Sequence, residues 1–241
     1  MKAIIFSAGL GTRLEELTKQ KPKALVELNE KPLIWHAIHQ LLSLEISEII
    51  INIHHFGQQI IDYVTQENFP IPIYFSDERD ALLDTGGGLL KAKTFLQGTE
   101  PIIAVNVDVI SSVNLKEVLR FHQLNKPLVT LVVRDRITSR YLMFSKEMQL
   151  SGWINKQTNT EKISRNEFRE SKPLAFSGIQ ILSPEIYKHI TETGKFSIIE
   201  LYLRLAKTEK LLGFIDESDY WLDLGKPGQI EEAELLLKTR K

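Results

Sequence analysis

Short runs of aliphatic and β-branched residues alternate along this chain with stretches whose apolar residues recur at helical spacing. The opening run, 1–7, is apolar at Ile4, Ile5 and Phe6 and leads into a glycine-bearing turn, which predicts a short buried strand. The pattern then predicts a helix over 32–43, a strand over 48–53, a helix over 57–66 and a strand over 71–76. It continues with a helix over 87–96, a strand over 102–107, a helix over 115–124 and a strand over 128–133. Strands alternating with helices of this length build βαβ units, so the expected class is α/β: three layers, α/β/α, around a mostly parallel central sheet.

The rhythm breaks between Arg134 and Lys172, where 141–145 and 152–155 predict a hairpin packed against the sheet. A strand over 176–182, helices over 184–190 and 198–207, a strand over 211–215 and a terminal helix over 227–238 complete the pattern. With no internal repeat and no long linker, one domain over 1–241 is the simplest organisation. Composition agrees: 43% of residues are hydrophobic and 25% charged, enough apolar material for a sizeable core. Charge excludes one class of partner. The 30 basic and 31 acidic residues balance, so no broad nucleic-acid-binding face is expected and any phosphate site must be a local cluster. The absence of cysteine removes disulfides, thiol nucleophiles and thiolate zinc sites. No run approaches the roughly 18 apolar residues of a membrane span, and a cytoplasmic setting without a membrane partner is expected.

Open parallel sheets bind ligands at the carboxyl ends of their strands. After the first strand, Gly9 and Gly11 let the backbone turn sharply and bring N–H groups to phosphate oxygens. Arg13 then offers a planar fork of donors and Lys23 a point charge, a set that suits a triphosphate. Better-known phosphate loops fit poorly. No Lys-Ser or Lys-Thr opens a helix after a strand, Gly194-Lys195-Phe196 fails the pattern, and Leu14 occupies the third-glycine position of a dinucleotide fingerprint. Gly86, Gly87 and Gly88 precede a helix expected to begin near Leu89, so their backbone can lie against a flat base. His36 and His39 lack a third ligand at suitable spacing, the His54-His55 side chains diverge, and Trp153 and Trp221 read as core or pocket walls.

AGLGTRL followed by KPKAL, together with LLDTGGGL, VNVDV, LAFSGIQIL and the terminal YWLDLGKPGQIEEAE, resembles the sugar-1-phosphate nucleotidylyltransferases over nearly the whole chain. The resemblance implies a Rossmann-like, glycosyltransferase-A-like fold. It also implies condensation of a nucleoside triphosphate with a sugar 1-phosphate, releasing pyrophosphate. Mg²⁺ would be held by Asp108 and Asp223, and Arg13 and Lys23 would act on the reacting phosphates. Ala8, Gly9, Gly11, Thr12, Leu82, Gly86 and Gly87 would complete the nucleotide site. Asn106, Ser177 and Gly178 would line the sugar side, and Arg140 reads either as a contact for a sugar's phosphate or lactyl carboxylate or as a solvated hairpin arginine. The TGGG loop, FSGI and the W-x-D-x-G-x-P ending are most similar to the branch that joins UTP to N-acetylmuramic acid 1-phosphate in cell-wall sugar recycling. Guanylyl-, thymidylyl- and cytidylyltransferases for mannose, heptose, glucose or choline phosphate share much of the pattern. Two positions depart from it: Val107 stands where the family has glycine, and Arg140 where recycling enzymes carry an acidic contact. Val107 also leaves open a non-catalytic nucleotide-sugar sensor. A monomer or small homo-oligomer is expected.

Overall fold

A computed structural model describes residues 1–9, 11, 14, 17–225 and 228–238. Its first part contains β1 (Lys2–Phe6), β2 (Glu27–Leu28), β3 (Lys31–Pro32), α1 (Leu33–Leu41), β4 (Glu48–Ile53), α2 (Gly57–Glu67), β5 (Ile73–Asp77), α3 (Asp84–Lys91) and α4 (Lys93–Leu96). The middle holds β6 (Ile102–Asn106), β7 (Val109–Ser111), α5 (Leu115–Asn125), β8 (Val129–Arg134), β9 (Arg140–Phe144), β10 (Leu150–Asn155) and β11 (Thr160–Ile163). The last part holds β12 (Lys172–Leu182), α6 (Ile186–His189), α7 (Ile198–Leu205), β13 (Leu211–Ile215), β14 (Trp221–Asp223) and α8 (Gln229–Lys238).

One large sheet runs β11-β10-β9-β12-β6-β1-β4-β5, with β8 pairing β12 and β13. The β6-β1-β4-β5 block is parallel, as is β8 with β13, while β12 is antiparallel to both β6 and β8. Successive side chains of a strand point to opposite faces, and both faces of β1 are covered. Ala3 and Ile5 enter one apolar cluster with α1, α2 and α5, whereas Ile4 and Phe6 enter another with α3 and α7. The α/β/α layering with a mostly parallel sheet is therefore the observed architecture.

Three local expectations change. The helix expected over 87–96 begins at Asp84 and gives way at Ala92 to the short α4, so the glycines sit inside its first turns rather than before it. The hairpin of β9 and β10 joins the sheet edgewise, because the strand expected to begin at Phe176 starts at Lys172 and its first residues pair with β9. Finally β7 and β14 form a small antiparallel ribbon of three residues each, too short to leave a period in the sequence.

Candidate active site

The carboxyl ends of β1, β4 and β6 lie together because these strands are parallel and nearly in register. There they border a cleft of about 400 Å³ that is lined by Ala8, Gly9, Gly11, Lys23, Leu82, Asn106 and Asp108 among others. Seven of the residues expected from sequence thus share one wall system. Thr12 and Arg13 lie outside the described residues.

A buried polar chain shapes the first wall. Asn52 Oδ1 accepts the N–H groups of Ser7 and Ala8 at 2.6 and 3.2 Å, and Asn52 Nδ2 donates to Glu78 Oε1 at 2.8 Å. Glu78 Oε2 accepts from Leu83 N at 3.3 Å, which joins the ends of β1, β4 and β5 to the start of α3. Glu78 is fully buried, and that burial pushes its carboxyl above the usual range, with the Asn52 donor opposing. Beyond Ala8 the chain turns at Gly11, whose φ of 65° suits glycine, and its carbonyl accepts from Leu14 N and Thr18 Oγ1.

Lys23 opens a 3₁₀ turn after Pro22, is 8% exposed, and its Nζ donates to Asp108 Oδ2. Asp108 stands between β6 and β7. Its carbonyl accepts Leu224 N at 2.9 Å, and Asp223 pairs across the ribbon with Val109, so both aspartates stand at one end of the ribbon. Asp223 Oδ1 also accepts Gly225 N at 3.0 Å. The segment before β14 is rooted by Arg134, which donates to Asp216 Oδ2 at 2.8 Å and to the Ser218 carbonyl at 2.8 Å.

On the opposite wall, Leu82, Asp84 and Thr85 face the cleft. Gly86 and Gly87 do not. Both are buried, and their N–H groups donate to Phe196 O at 3.0 and 3.3 Å, so they are not free for a base edge. A Cβ on Gly87 would stand 2.4 Å from Gly194 O; the glycine permits the 194–196 segment to approach and to set Lys195 in the cleft. Asn52 and Lys195 have no site role in the sequence reading, and Asp84 and Thr85 enter it only as part of the LLDTGGGL stretch. Gly194-Lys195-Phe196 fits no phosphate-loop pattern, and Lys195 reaches the cleft through tertiary packing.

Beyond the end of β6, Gly178 has φ 75°, and a Cβ there would meet Asn106 Nδ2 and Val109 Cγ2 at 2.9 Å each. Ser177 is buried, and its carbonyl accepts Trp221 Nε1 at 2.8 Å. Arg140 is exposed at the start of β9 and does not line the cleft. Its side chain makes no hydrogen bond or ion pair among the described residues. Val107 both borders the cleft and packs in the core at 4% exposure. Three histidines are held in structural contacts: His36 Nε2 meets Leu28 O, His39 stacks on Trp35, and His54 Nδ1 meets Glu78 O.

A sequence profile of the Nucleotidyl transferase family matches residues 2–240, and the chain belongs to that family. It is 30% identical over 235 residues to mannose-1-phosphate guanyltransferase of Yarrowia lipolytica, covering 94% of this chain and 61% of that protein. It is 28% identical over 245 residues to N-acetylmuramate alpha-1-phosphate uridylyltransferase of Caulobacter vibrioides, covering 99% of this chain and 96% of that protein. The chain thus spans about three-fifths of the first relative and nearly all of the second. Among solved structures, HddC from Yersinia pseudotuberculosis complexed with GMP-PN superposes with a TM-score of 0.78 at 22% identity, over 98% of this chain and 99% of that one. UDP-glucose pyrophosphorylase from Acinetobacter baumannii gives 0.82 at 16% identity, over 99% and 93%. At these identities the structural likeness is one of fold. No helix among the described residues is long and apolar enough to cross a membrane.

Proposed function

We propose that this chain transfers a nucleotidyl group from a nucleoside triphosphate to a sugar 1-phosphate, with UTP and N-acetylmuramic acid 1-phosphate as the pair. The observation that carries this reading is the meeting of a glycine turn, a nearly buried lysine and the Asp108 carboxylate in one cleft at the strand ends. In the reaction an oxygen of the sugar phosphate attacks the α-phosphorus. The new P–O bond forms as the bond to the β-phosphate bridging oxygen breaks, and pyrophosphate leaves. A phosphate monoester has a second pKa of about 6 and is already ionised near neutrality, so no general base is required. What remains for the protein is alignment and charge neutralisation.

Lys23 is the group for the reacting phosphates, because it is a cation held at the end of β6 by Asp108, and Arg13 belongs to the same task for the departing pyrophosphate. Ala8, Gly9, Gly11 and Leu82 shape the nucleotide side, with Lys195 as a second cation facing the cleft. Asn106, Ser177 and Gly178 stand on the sugar side. A divalent cation fits the donor set: Asp108 and Asp223 are hard carboxylates at one ribbon end, and Mg²⁺ takes one or two carboxylates with the rest of its shell from phosphates and water. When bound it would offset charge on the two phosphate groups.

The uridylyl pair is favoured by the Caulobacter relative, which matches this chain along nearly its full length. A guanylyl pair on mannose 1-phosphate is the second reading, favoured by the higher identity of the Yarrowia protein. Pyrophosphate release measured for four nucleoside triphosphates against a panel of sugar 1-phosphates tests both. Fastest release with UTP and N-acetylmuramic acid 1-phosphate is expected. A different best pair reassigns the substrates, and no release with any pair overturns the transferase reading in favour of a binding role.

A further inference from the structure

The stretch from Arg134 to Arg140 carries three arginines whose surroundings differ sharply. Arg134 is a structural residue, with its guanidinium on Asp216 and Ser218. Arg140 is exposed. Arg136 lies two residues beyond the carboxyl end of β8, and β8 runs in the same direction as β6 because β12 is antiparallel to both. It therefore sits at the end of the sheet where Asn106 and Asp108 stand.

Its guanidinium carbon lies 3.9 Å from the centre of the Trp221 ring, and Nη2 donates to Phe176 O at 3.1 Å. Among the described residues it makes no ion pair, and its Nε is buried without a partner. Burial works against its positive charge, whereas the Asp223 charge nearby favours it. The register of β12 shifts between Phe176 and Gln180, around Gly178 in the left-handed region. Bulges of this kind re-aim backbone groups. Here two consecutive carbonyls, of Phe176 and Ser177, hold Arg136 and Trp221 respectively. Ser177 Oγ, on the same bulge, is also buried and without a partner among the described residues. One of the five N–H donors of Arg136 is engaged, Nε is buried unpaired, and Nη1, which is not buried and has no partner among the described residues, is open to an oxygen ligand.

We propose that Arg136, stacked on Trp221 beside Asp223, recognises an anionic oxygen group of the second substrate. This rests on the transferase reading above. A planar fork of donors suits phosphate or carboxylate oxygens taken two at a time. The group is either the phosphate common to all sugar 1-phosphates or a carboxylate carried by some, such as the lactyl group of N-acetylmuramic acid. Arg136, not the exposed Arg140, is then the arginine that reads the sugar substrate.

The test is Arg136→Met, which keeps an apolar stem against Trp221, with Arg136→Lys in reserve should the first fail to fold; the lysine keeps charge but loses the fork. KM and kcat are measured with N-acetylmuramic acid 1-phosphate and with N-acetylglucosamine 1-phosphate, which lacks the lactyl group. A rise in KM of about ten-fold or more for the sugar phosphate, with KM for the nucleotide unchanged, is expected. An equal rise for both sugars identifies the phosphate, and a rise confined to the first identifies the carboxylate. An unchanged sugar-phosphate KM, or a change confined to nucleotide KM or Mg²⁺ requirement, overturns the proposal and leaves Arg136 as a prop for Trp221. If the unaltered protein turns over no pair, the transferase reading has failed separately. Calorimetric titration of N-acetylmuramic acid 1-phosphate then decides: weaker binding to the variant supports the assignment, and equal binding, or none to either, overturns it.

Discussion

Asp216→Ala cuts the ion pair that roots the segment leading into β14. Asp216 Oδ2 takes Arg134 Nη1 at 2.8 Å and Asp216 Oδ1 takes Ser218 N at 2.9 Å, with the two ion-pair side chains 1% and 19% exposed. Truncation leaves the Arg134 charge with a hydroxyl and a carbonyl of Ser218 and no counter-charge. Removing one partner of a buried pair costs about 3–5 kcal/mol, and the fifth of Arg134 that still meets water puts the loss at the low end, about 3 kcal/mol. In a chain of this length each kcal/mol moves the melting midpoint by about 2–4 °C, so a fall of about 6–12 °C is expected in calorimetry. Because the loosened segment feeds Trp221 and Asp223, turnover should also fall at temperatures where the variant remains folded. The double replacement Arg134→Met, Asp216→Leu removes both charges and should recover most of the stability. A single variant within about 1 kcal/mol of the parent, or a double variant no better than the single, would refute the reasoning.

Three further outcomes follow from individual side chains. His122 is buried against Thr130 Oγ1, and burial lowers its pKa from 6.5 to about 4. The unfolded chain therefore takes up the proton first as pH falls through 6.5, and stability present above that value is lost down to about 4. Urea titrations should show about 2 kcal/mol lost between about pH 7.5 and pH 5 from this residue, a slope that His122→Gln removes; an unchanged slope in the variant counts against it. Gly87→Ala forces a methyl toward Gly194 O and should destabilise by about 1–3 kcal/mol while raising nucleotide KM through displaced Lys195; a variant as stable as the parent would show that the 194–196 segment yields freely. Lys23→Met should lower kcat by about 100-fold or more beyond any change in nucleotide affinity, and an effect confined to KM would make Lys23 a binding residue alone.

Much of the architecture could be read directly from the chain. Period-2 and period-3.6 patterns are local, so β4 was expected and found over the same residues, and β1, α1, α2, α5 and β13 lie within a few residues of their expected bounds. That the candidate residues meet at one end of the sheet was legible for the same reason: glycine, lysine and aspartate following particular strands must gather there once the strands run parallel. Gathering at close range was not legible. That Asp223 reaches the neighbourhood of Asp108 depends on a three-residue ribbon between segments over a hundred residues apart, too short to carry a period. The Asn52–Glu78 chain, the placement of Lys195 by Gly87 and Phe196, and the stacking of Arg136 on Trp221 are likewise contacts between distant segments. Sequence determined which residue types stand at each strand end, because backbone preference and hydrophobic period act over a few neighbours. Tertiary structure alone decided which of those side chains meet, since hydrogen bonding, stacking and steric fit act only once packing has brought them within a few ångströms.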